Sequence, residues 1–325
     1  MGYPKYYIGP MSKNIVDAIL RFCKETKNKI GLIPSRRQVE WDGGYVNNWT
    51  TKRFSKYANE LFLVRDHAGP GQGYNEDDGF ESLGHDCKYF DMIHIDPWKN
   101  YPSLEEGIQQ TVNMIKFCYK INPDIAFEVG TEEAIRRFTV KEINTLIIEL
   151  KLHLTHTEFN QVKYVVIQSG TSLKGNTNTG SYNKTRLELM IKAVQSYKLL
   201  SKEHNGDYLP NKLIKQKFKL GLKSINIAPE FGQIETKVYL DKIKKERPDL
   251  FNIFYLICYN SMRWEKWVNE EFNPEKQKEE IINICGHYIL SHKDFIREIK
   301  SQLPDIDFDI QEKIKDKLNG LWKNI

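Results

Sequence analysis

The stretch Leu61–Gly71 has the sequence LFLVRDHAGPG and contains a pattern that recurs along the chain and indicates its fold. Its apolar start predicts a short buried strand, and the polar residues Asp66 and His67 follow just before a turn rich in glycine and proline. The same order, a short apolar run and then polar residues, recurs over roughly the first 240 residues. Segments with helical spacing of apolar residues, such as Glu106–Ile115, separate the runs.

Eight such runs are present, and each predicts one strand. They are Tyr6–Ile8, Ile30–Ile33, Leu61–Val64, Met92–Ile95, Ile125–Glu128, Tyr164–Ile167, Leu199–Lys202 and Ser224–Ile227. Eight alternations of strand and helix predict an α/β fold, the (β/α)8 TIM barrel. A doubly wound open sheet is the alternative, but no run is followed by the glycine-rich fingerprint of dinucleotide-binding folds.

The pattern changes near Thr236, where strand-like runs stop and a charged, helical sequence begins. We therefore expect a barrel in residues 1–235 and a C-terminal helical extension in residues 236–325. Within the extension, the spacing predicts helices that include Phe251–Val268 and Ile310–Trp322. Its aromatic residues are expected to pack the helices together and onto the barrel, with a partner-binding surface as the alternative.

Composition narrows the class of protein. The chain has 325 residues and a formal net charge of +5, a small and dispersed excess that argues against nucleic acid as a partner. No apolar run is long enough for a membrane span, and Met1–Pro10 does not resemble a secretion signal. The five cysteines contain no CxxC pair. We expect a cytoplasmic protein of enzyme size with reduced thiols.

Polar residues follow the strands at their carboxyl ends, which in a TIM barrel surround one opening, the mouth, and form the active site. His67, His94 and His204 come from three different strands. With a carboxylate such as Glu128, they could bind Zn²⁺ or another divalent metal. A single histidine there is more often a hydrogen-bonded core residue, but three favour a metal site. If Asp66 and His67 both lie in a regular strand, Asp66 points away and suits a general acid/base, a ligand-supporting residue or a turn cap.

Basic and small polar residues at the mouth could bind a small anionic sugar substrate. The candidates for substrate binding are Arg36, Arg37, Gln38, Lys99, Gly170, Thr171, Ser172, Asn205 and Asn226. Among them, the backbone N–H groups and hydroxyls of Gly170, Thr171 and Ser172 meet the needs of a phosphate pocket. The candidates for catalysis are the carboxylates Asp66, Asp96, Glu128 and Asp207.

Taken in order, these motifs resemble the class II, metal-dependent ketose-bisphosphate aldolases. The matching residues are Asp66-His67, Ile95-Asp96, Glu128-Val129-Gly130, Gly170-Thr171, His204, Asn226 and Glu230. The resemblance implies that Asp66 is the catalytic proton donor and that His67 and His204 bind zinc. Leu173 stands where the family has its third zinc-binding histidine, so His94 or Glu128 would complete the site. Asn205-Gly206-Asp207 replaces the family's glycine and phosphate-binding serine.

A closer resemblance is to the branch known as the non-catalytic subunit of tagatose-bisphosphate aldolase. It rests on Gly43-Gly44-Tyr45, Ile93-His94-Ile95-Asp96, Gly130-Thr131-Glu132 and Glu203-His204 with Asp207-Tyr208, and on the helical extension. The wider family implies a metal-dependent carbon–carbon lyase that acts on a sugar phosphate or related polyhydroxy ketone through an enediolate. The closer branch implies an accessory subunit in a hetero-oligomer with a catalytic aldolase; a homo-oligomer is also compatible. A sugar-phosphate epimerase or isomerase is a further alternative.

Overall fold

Eight parallel strands form a closed barrel in a computed structural model that describes residues 2–175 and 177–323. The strands are β1 (Tyr6–Ile8), β2 (Ile30–Leu32), β3 (Phe62–Ala68), β4 (Met92–Ile95), β5 (Ala126–Val129), β6 (Val162–Ile167), β7 (Leu200–Glu203) and β8 (Ser224–Ile227). Each strand pairs with the next, and β8 pairs with β1 to close the barrel. The predicted TIM barrel is confirmed. Only β3 extends well past its predicted end at Val64, to Ala68.

Helices surround the barrel. They are α1 (Lys13–Thr26), α2 (Thr51–Tyr57), α3 (Phe80–Tyr89), α4 (Leu104–Ile121), α5 (Val140–His153), α6 (His156–Phe159), α7 (Lys184–Gln195), α8 (Asn211–Lys219) and α9 (Pro229–Glu246). Ser12, Ser103 and Thr139 begin three of them, because each side chain accepts a hydrogen bond from a free backbone N–H of the first turn. A hairpin of Leu173–Lys174 and Thr177–Asn178 follows β6. Among the described helices, none combines the length and hydropathy that a membrane span requires.

The barrel interior has an apolar layer, the floor, on which the polar residues of the mouth rest. The floor consists of Tyr7, Ile33, Val64, Met92, Ala126 and Tyr164. Because alternate residues of a strand face the same side, the residues two positions after Met92 and Ala126 also face inward. These are His94 and Glu128, which lie opposite each other in the register of β4 and β5. The alternation of side chains along each strand therefore places polar residues above the floor, at the carboxyl ends of the strands.

The C-terminal extension begins after α9, since the boundary expected at residue 235 falls inside this helix. Its helices are α10 (Phe251–Asn260), α11 (Lys278–Cys285), α12 (Lys293–Glu298) and α13 (Ile306–Trp322), with 3₁₀ turns at Pro248–Leu250, Glu265–Trp267, Gly286–Tyr288 and Lys300–Gln302. The predicted helix Phe251–Val268 is wrong beyond Asn260. Met262 has a left-handed backbone with φ of 54°, which stops the helix and turns the chain.

The extension shares its hydrophobic core with the barrel. On α13, the side chains of Ile310, Ile314 and Leu318 are fully buried against α1 and α9. The hydroxyl of Tyr6, on β1, donates to the carbonyl of Leu321 at 3.2 Å. The extension and the barrel should therefore unfold together rather than as two separate units.

Truncating the buried face of α13 tests this shared core. Ile314→Ala should lower the free energy of unfolding of the whole chain by about 2–5 kcal/mol in a single transition, because it opens a cavity between α13 and the barrel. Phe308→Ala, on the same helix but with a side chain 60% exposed, is the control and should cost about 0.5 kcal/mol or less. Urea unfolding followed by circular dichroism measures both. A barrel transition that does not respond to Ile314→Ala would show that the extension folds separately.

Candidate metal centre

Three histidine rings meet above the floor. His67 comes from β3, His94 from β4, and His204 directly follows β7. The ring centroids of His67 and His94 are 4.9 Å apart, those of His67 and His204 5.3 Å, and those of His94 and His204 4.8 Å. The three histidines predicted as metal ligands are thus brought together at the carboxyl ends of the strands.

The carboxylate of Asp66 faces all three rings. Its Oδ1 lies 3.6 Å from Nε2 of His67, 3.7 Å from Nδ1 of His94 and 3.9 Å from Nδ1 of His204. This oxygen is buried and accepts no hydrogen bond from any residue that the structure describes. A buried, unpaired carboxylate oxygen costs free energy unless a cation or a proton donor satisfies it.

Asp66 and His67 face the same site because β3 is irregular at this point. Its pairing with β4 shifts between Arg65 and Ala68, so three residue steps along β3 match only two along β4. His67 has a left-handed backbone with φ of 46°. The expectation that Asp66 points away from His67 is therefore wrong, since it assumed a regular strand. Left-handed backbone at a non-glycine residue costs about 1–3 kcal/mol and is typical of functional sites.

Each histidine is held from behind by an oxygen acceptor. The pairs are Nδ1 of His67 with Asp96 at 2.5 Å, Nε2 of His94 with the carbonyl of Gly130 at 2.9 Å, and Nε2 of His204 with Glu128 at 2.8 Å. Such contacts fix the orientation and tautomer of an imidazole, and metal-binding histidines in proteins almost always have one. The remaining nitrogen of each ring is the one that faces Asp66.

The charges of the site compensate one another. Burial alone would raise the pKa of Asp66, but the three histidines outweigh it and hold that pKa well below its usual range. Burial alone would lower the pKa of His67, but Asp66, Asp96 and Glu132 outweigh it and hold that pKa well above its usual value. Burial lowers the pKa of His204. Asp66 is therefore ionised at neutral pH, and His204 is in the neutral form that binds metals.

The donor set fits a divalent metal. Oδ1 of Asp66, 3.6–3.9 Å from the three nitrogens, would lie beside a metal ion bound to them. The four residues each offer a ligand atom within 4.8 Å of the others. Imidazole and carboxylate donors suit Zn²⁺. His94 has a ring nitrogen that faces the site, whereas Glu128 is engaged by Lys202 and His204. Nδ1 of His94 accepts the backbone N–H of His67 at 3.2 Å and would have to release this hydrogen bond to bind a metal.

Lys202 is a site residue that the sequence analysis missed. Its side chain is fully buried, and its Nζ donates to Oε2 of Glu128 at 2.6 Å and lies 3.8 Å from the ring centroid of Tyr7. Burial lowers the pKa of Lys202, and Glu128 opposes this shift. Lys202, Glu128 and His204 thus form one chain of contacts beneath the metal centre. Period-two spacing could have found Lys202, since it lies two positions before His204 on the same face of the barrel.

Glu132 is the second residue that was missed. Its Oε2 lies 3.7 Å from Nε2 of His67 and 3.8 Å from Nδ1 of His204, and it accepts a hydrogen bond from Asn205 at 3.0 Å. Asn205, a predicted substrate-binding residue, is therefore connected to the histidines through Glu132. Its position in the loop after β5 could have indicated a site residue, because the loops that follow barrel strands surround the mouth.

The predicted catalytic carboxylates occupy different places. Asp96 is fully buried behind His67 and also accepts the hydroxyl of Thr131 at 2.9 Å. Asp207 does not join the histidines. It accepts the backbone N–H groups of Ala228 and Glu230 at 2.9 Å each, and burial raises its pKa to about 7. Asp96 therefore positions a histidine, whereas Asp207 connects the loop after β7 to the start of α9.

Several predicted substrate-binding residues are engaged within the protein. Arg36 is buried, with its guanidinium 2.6 Å from Glu40 and 2.5 Å from Asp77. Gln38 accepts the backbone N–H of Ser35 at 2.8 Å and donates to the sulfur of Met11. Lys99 donates to the carbonyl of Gly71 at 2.5 Å. Arg37 is exposed, and its Nε donates to the carbonyl of Gly73 at 3.1 Å.

The other predicted substrate-binding residues line a cavity or have polar atoms without a partner among the described residues. Gly170, Thr171 and Ser172 line a cavity of about 450 Å³ beside the start of α7. The hydroxyl of Thr171 donates to the carbonyl of His204 at 3.0 Å, which joins this cavity to the metal centre. The amide of Asn226 is buried, and in the described part of the chain neither its oxygen nor its nitrogen has a partner. Asn226 faces the interior above Ser224, so it is free to bind a polar group in the mouth.

The whole structure is similar to several solved structures. The probable tagatose 6 phosphate kinase from Sinorhizobium meliloti 1021 has a TM-score of 0.77 at 15% identity, with 100% of both chains covered. The fructose-bisphosphate aldolase from Campylobacter jejuni has a TM-score of 0.61 at 13% identity, over 99% of this chain and 90% of that chain. The YdjI aldolase from Escherichia coli K12 has a TM-score of 0.55 at 13% identity, over 92% of this chain and 93% of that chain.

The chain shares the overall fold of these solved structures. The resemblance that the motifs predicted is confirmed at this level, and it extends through the helical extension. No protein-family model matches the chain, and no curated protein matches it significantly by sequence. Activity, metal and substrate must therefore be argued from the residues of the mouth.

Metal binding is the first property to test. The purified chain, loaded with zinc and dialysed, should retain about one zinc per chain, and His204→Ala should weaken zinc binding by at least about tenfold because it removes one of three nitrogens. His153→Ala, at an exposed histidine near the end of α5, is the matched control and should bind zinc normally. Elemental analysis and competition with a chelator measure both. Equal zinc binding by the two variants would contradict the assignment.

Substitution of two buried lysines, one at a time, distinguishes an effect on metal binding from an effect on the stability of the chain. Lys202→Met leaves the Glu128 carboxylate without its cation, so it should weaken zinc binding by about 10–100-fold and destabilise the chain by about 3–5 kcal/mol. Lys217→Met breaks the equally buried pair of Lys217 with Glu203 and should cost similar stability. Its zinc affinity should stay unchanged. The measurements are chelator competition and urea unfolding, and an equal loss of zinc affinity in both variants would refute the role of Lys202.

Proposed function

We propose that the protein is a metal-dependent aldolase that cleaves a carbon–carbon bond in a sugar phosphate or a related polyhydroxy ketone. The observation that carries this proposal is the ionised carboxylate of Asp66, whose Oδ1 faces three imidazole nitrogens and accepts no hydrogen bond from any described residue, at the mouth of an aldolase-type barrel. The likeness of the fold to two aldolases supports it. A cytoplasmic location and a small anionic substrate remain part of the proposal.

His67, His94 and His204 would hold the metal. A divalent cation bound there would act as a Lewis acid that polarises a substrate carbonyl. The residues behind the histidines keep the three nitrogens in place before the substrate arrives. Asp96 orients His67, and Glu128, itself paired with Lys202, orients His204. Such pre-organisation avoids the cost of reorienting dipoles during the reaction.

Asp66 is the residue that we assign to proton transfer. Cleavage between two carbons of a hydroxy ketone requires a base to take the proton of the hydroxyl beside the breaking bond, and the reverse reaction returns that proton. Oδ1 of Asp66 has a free lone pair, because no described residue donates to it. The three histidines keep this carboxylate ionised, which leaves it able to accept a proton and also lowers its basicity.

Asn226 and the pair of Glu132 with Asn205 would bind substrate hydroxyls. The unpaired amide of Asn226 offers both a donor and an acceptor, which matches a hydroxyl group. Glu132 lies next to two histidines and is held by Asn205 at 3.0 Å. Several hydroxyl contacts of this kind would favour a polyhydroxylated substrate over a simple ketone.

The alternative of a non-catalytic accessory subunit is based on the closer of the two family resemblances and on the missing histidine at Leu173. Leu173 lies in the hairpin after β6, whereas His94 offers a third nitrogen from β4. This observation favours an enzyme whose metal ligands all come from its own chain. An epimerase or isomerase would use the same residues and is distinguished by its products.

Asp66→Asn tests the assignment. With saturating zinc, the chain should release an aldehyde from at least one ketose phosphate in a coupled assay, and Asp66→Asn should lower kcat by about 10²–10⁴-fold because the amide cannot take a proton. Asp316→Asn, at an exposed carboxylate on α13, is the control and should keep full activity. An Asp66→Asn variant as active as the control would contradict the role of Asp66. A zinc-loaded chain that cleaves no ketose mono- or bisphosphate would overturn the proposed function, and rearranged but uncleaved sugar would indicate an isomerase.

A further inference from the structure

Three basic side chains meet at the rim of the mouth without acidic partners. Arg37 lies in the loop after β2, and Arg263 and Lys266 lie in the part of the extension between α10 and α11. Among the described residues, none of the three has a carboxylate oxygen within 4.0 Å. Several other basic residues of the extension form ion pairs, such as Lys242 with Asp309, Lys244 with Glu279, Arg247 with Asp249 and Arg297 with Asp294.

Shared contacts hold the three side chains near one another. Arg37 donates to the carbonyl of Gly73 at 3.1 Å, and Arg263 donates to the hydroxyl of the next residue, Tyr74, at 3.0 Å. Arg263 and Lys266 both lie over the ring of Tyr288, at 5.7 and 5.3 Å from its centroid. We call Arg37, Arg263 and Lys266 the rim cluster. Its aromatic neighbours orient the cations but do not neutralise them.

The rim cluster repels itself in the absence of an anion. Burial lowers the pKa of Lys266, and the nearby charges of Arg37 and Arg263 lower it further. The adjacent Arg36 shows the opposite arrangement, since two carboxylates satisfy it. An anion between the three cations would remove the repulsion and gain charge-assisted hydrogen bonds.

A buried histidine adds an uncharged donor beside the cluster. The side chain of His287 is 1% exposed, and within the described residues neither ring nitrogen has a hydrogen-bond partner. Its ring centroid is 4.0 Å from that of Tyr288, the ring shared by Arg263 and Lys266. Burial and then the charge of Lys266 lower the pKa of His287 to about 3, so it is neutral and offers one N–H group.

The cluster borders the side of the mouth formed by β1 and β8. Gly232, near the start of the helix after β8, packs against His287 and against Met11, which follows β1. On one side, Arg263 reaches Tyr74 in the loop after β3. On the other, Trp267 lines a groove together with Lys174 and Thr177 of the hairpin after β6. The cluster therefore lies at the same end of the barrel as the metal centre.

We propose that Arg37, Arg263 and Lys266 bind the phosphate group of the substrate at the rim of the mouth. This inference rests on the proposed function, because the phosphate belongs to the sugar that the metal centre would bind. It assigns to the C-terminal extension a direct part in substrate binding. It also assigns the anion site to residues other than Gly170, Thr171 and Ser172.

Phosphate binding to the metal-free protein tests the proposal. The full chain, treated with a chelator, should bind inorganic phosphate in calorimetric titrations at an ionic strength held constant with chloride. Arg263→Gln and Lys266→Gln should each weaken this binding by roughly tenfold or more, the loss of one charge-assisted contact. Arg297→Gln, which removes an exposed cation elsewhere in the extension, is the control and should bind phosphate as the wild type does.

Two further measurements keep the result interpretable. Lys266→Arg preserves the charge and should retain most of the binding, which a merely unfolded variant would not, and the Tm of each variant confirms folding. Absence of phosphate binding by the wild type, or equal binding by the Gln variants and the control, would overturn the proposal. The titration needs neither metal nor turnover, so its failure leaves carbon–carbon cleavage untouched. Phosphate binding without cleavage of any sugar would instead contradict the proposed function alone.

Discussion

A carboxylate held above an apolar floor is the constraint on which the rest of the site depends. Oδ1 of Asp66 is buried and accepts no hydrogen bond from any described residue, and the carboxylate is ionised, so the surrounding protein must supply positive charge or ligands for a cation. Three imidazoles face it, and each is fixed from behind by a hydrogen-bonded oxygen. Lys202 in turn compensates the buried Glu128. The polar groups below Asp66 therefore each have a role: the imidazoles face its carboxylate, the oxygen acceptors fix the imidazoles, and Lys202 compensates one of these acceptors.

Much of the fold follows from local patterns. The eight apolar runs, the helical segments between them and the polar strand ends lie within a few residues of their observed places, because period and turn signals are local properties of the sequence. The three histidines could be found for the same reason, since the strand ends of a barrel converge. The extension was harder to predict. The apolar and aromatic pattern of Phe251–Val268 continues past the point at which Met262 turns the chain.

The rest of the site could not be predicted because it depends on contacts between distant segments. The shifted pairing of β3 with β4 brings Asp66 beside His67, and strand periodicity predicts the opposite. Arg36 appeared free to bind substrate, but Glu40 and Asp77 from its own loop and from the loop after β3 engage it. The neighbouring Arg37 has no such partner among the described residues and faces the extension. A linear sequence does not show which of two adjacent arginines is neutralised.

The position of a bound metal tests the central claim most directly. Crystals of the full chain grown with zinc, measured with X-rays on either side of the zinc absorption edge, would locate the ion independently of any activity. The account predicts one anomalous peak within about 2.0–2.2 Å of Nε2 of His67, Nδ1 of His94 and Nδ1 of His204. A zinc peak elsewhere in the protein, or no peak among these three nitrogens at saturating zinc, would contradict it.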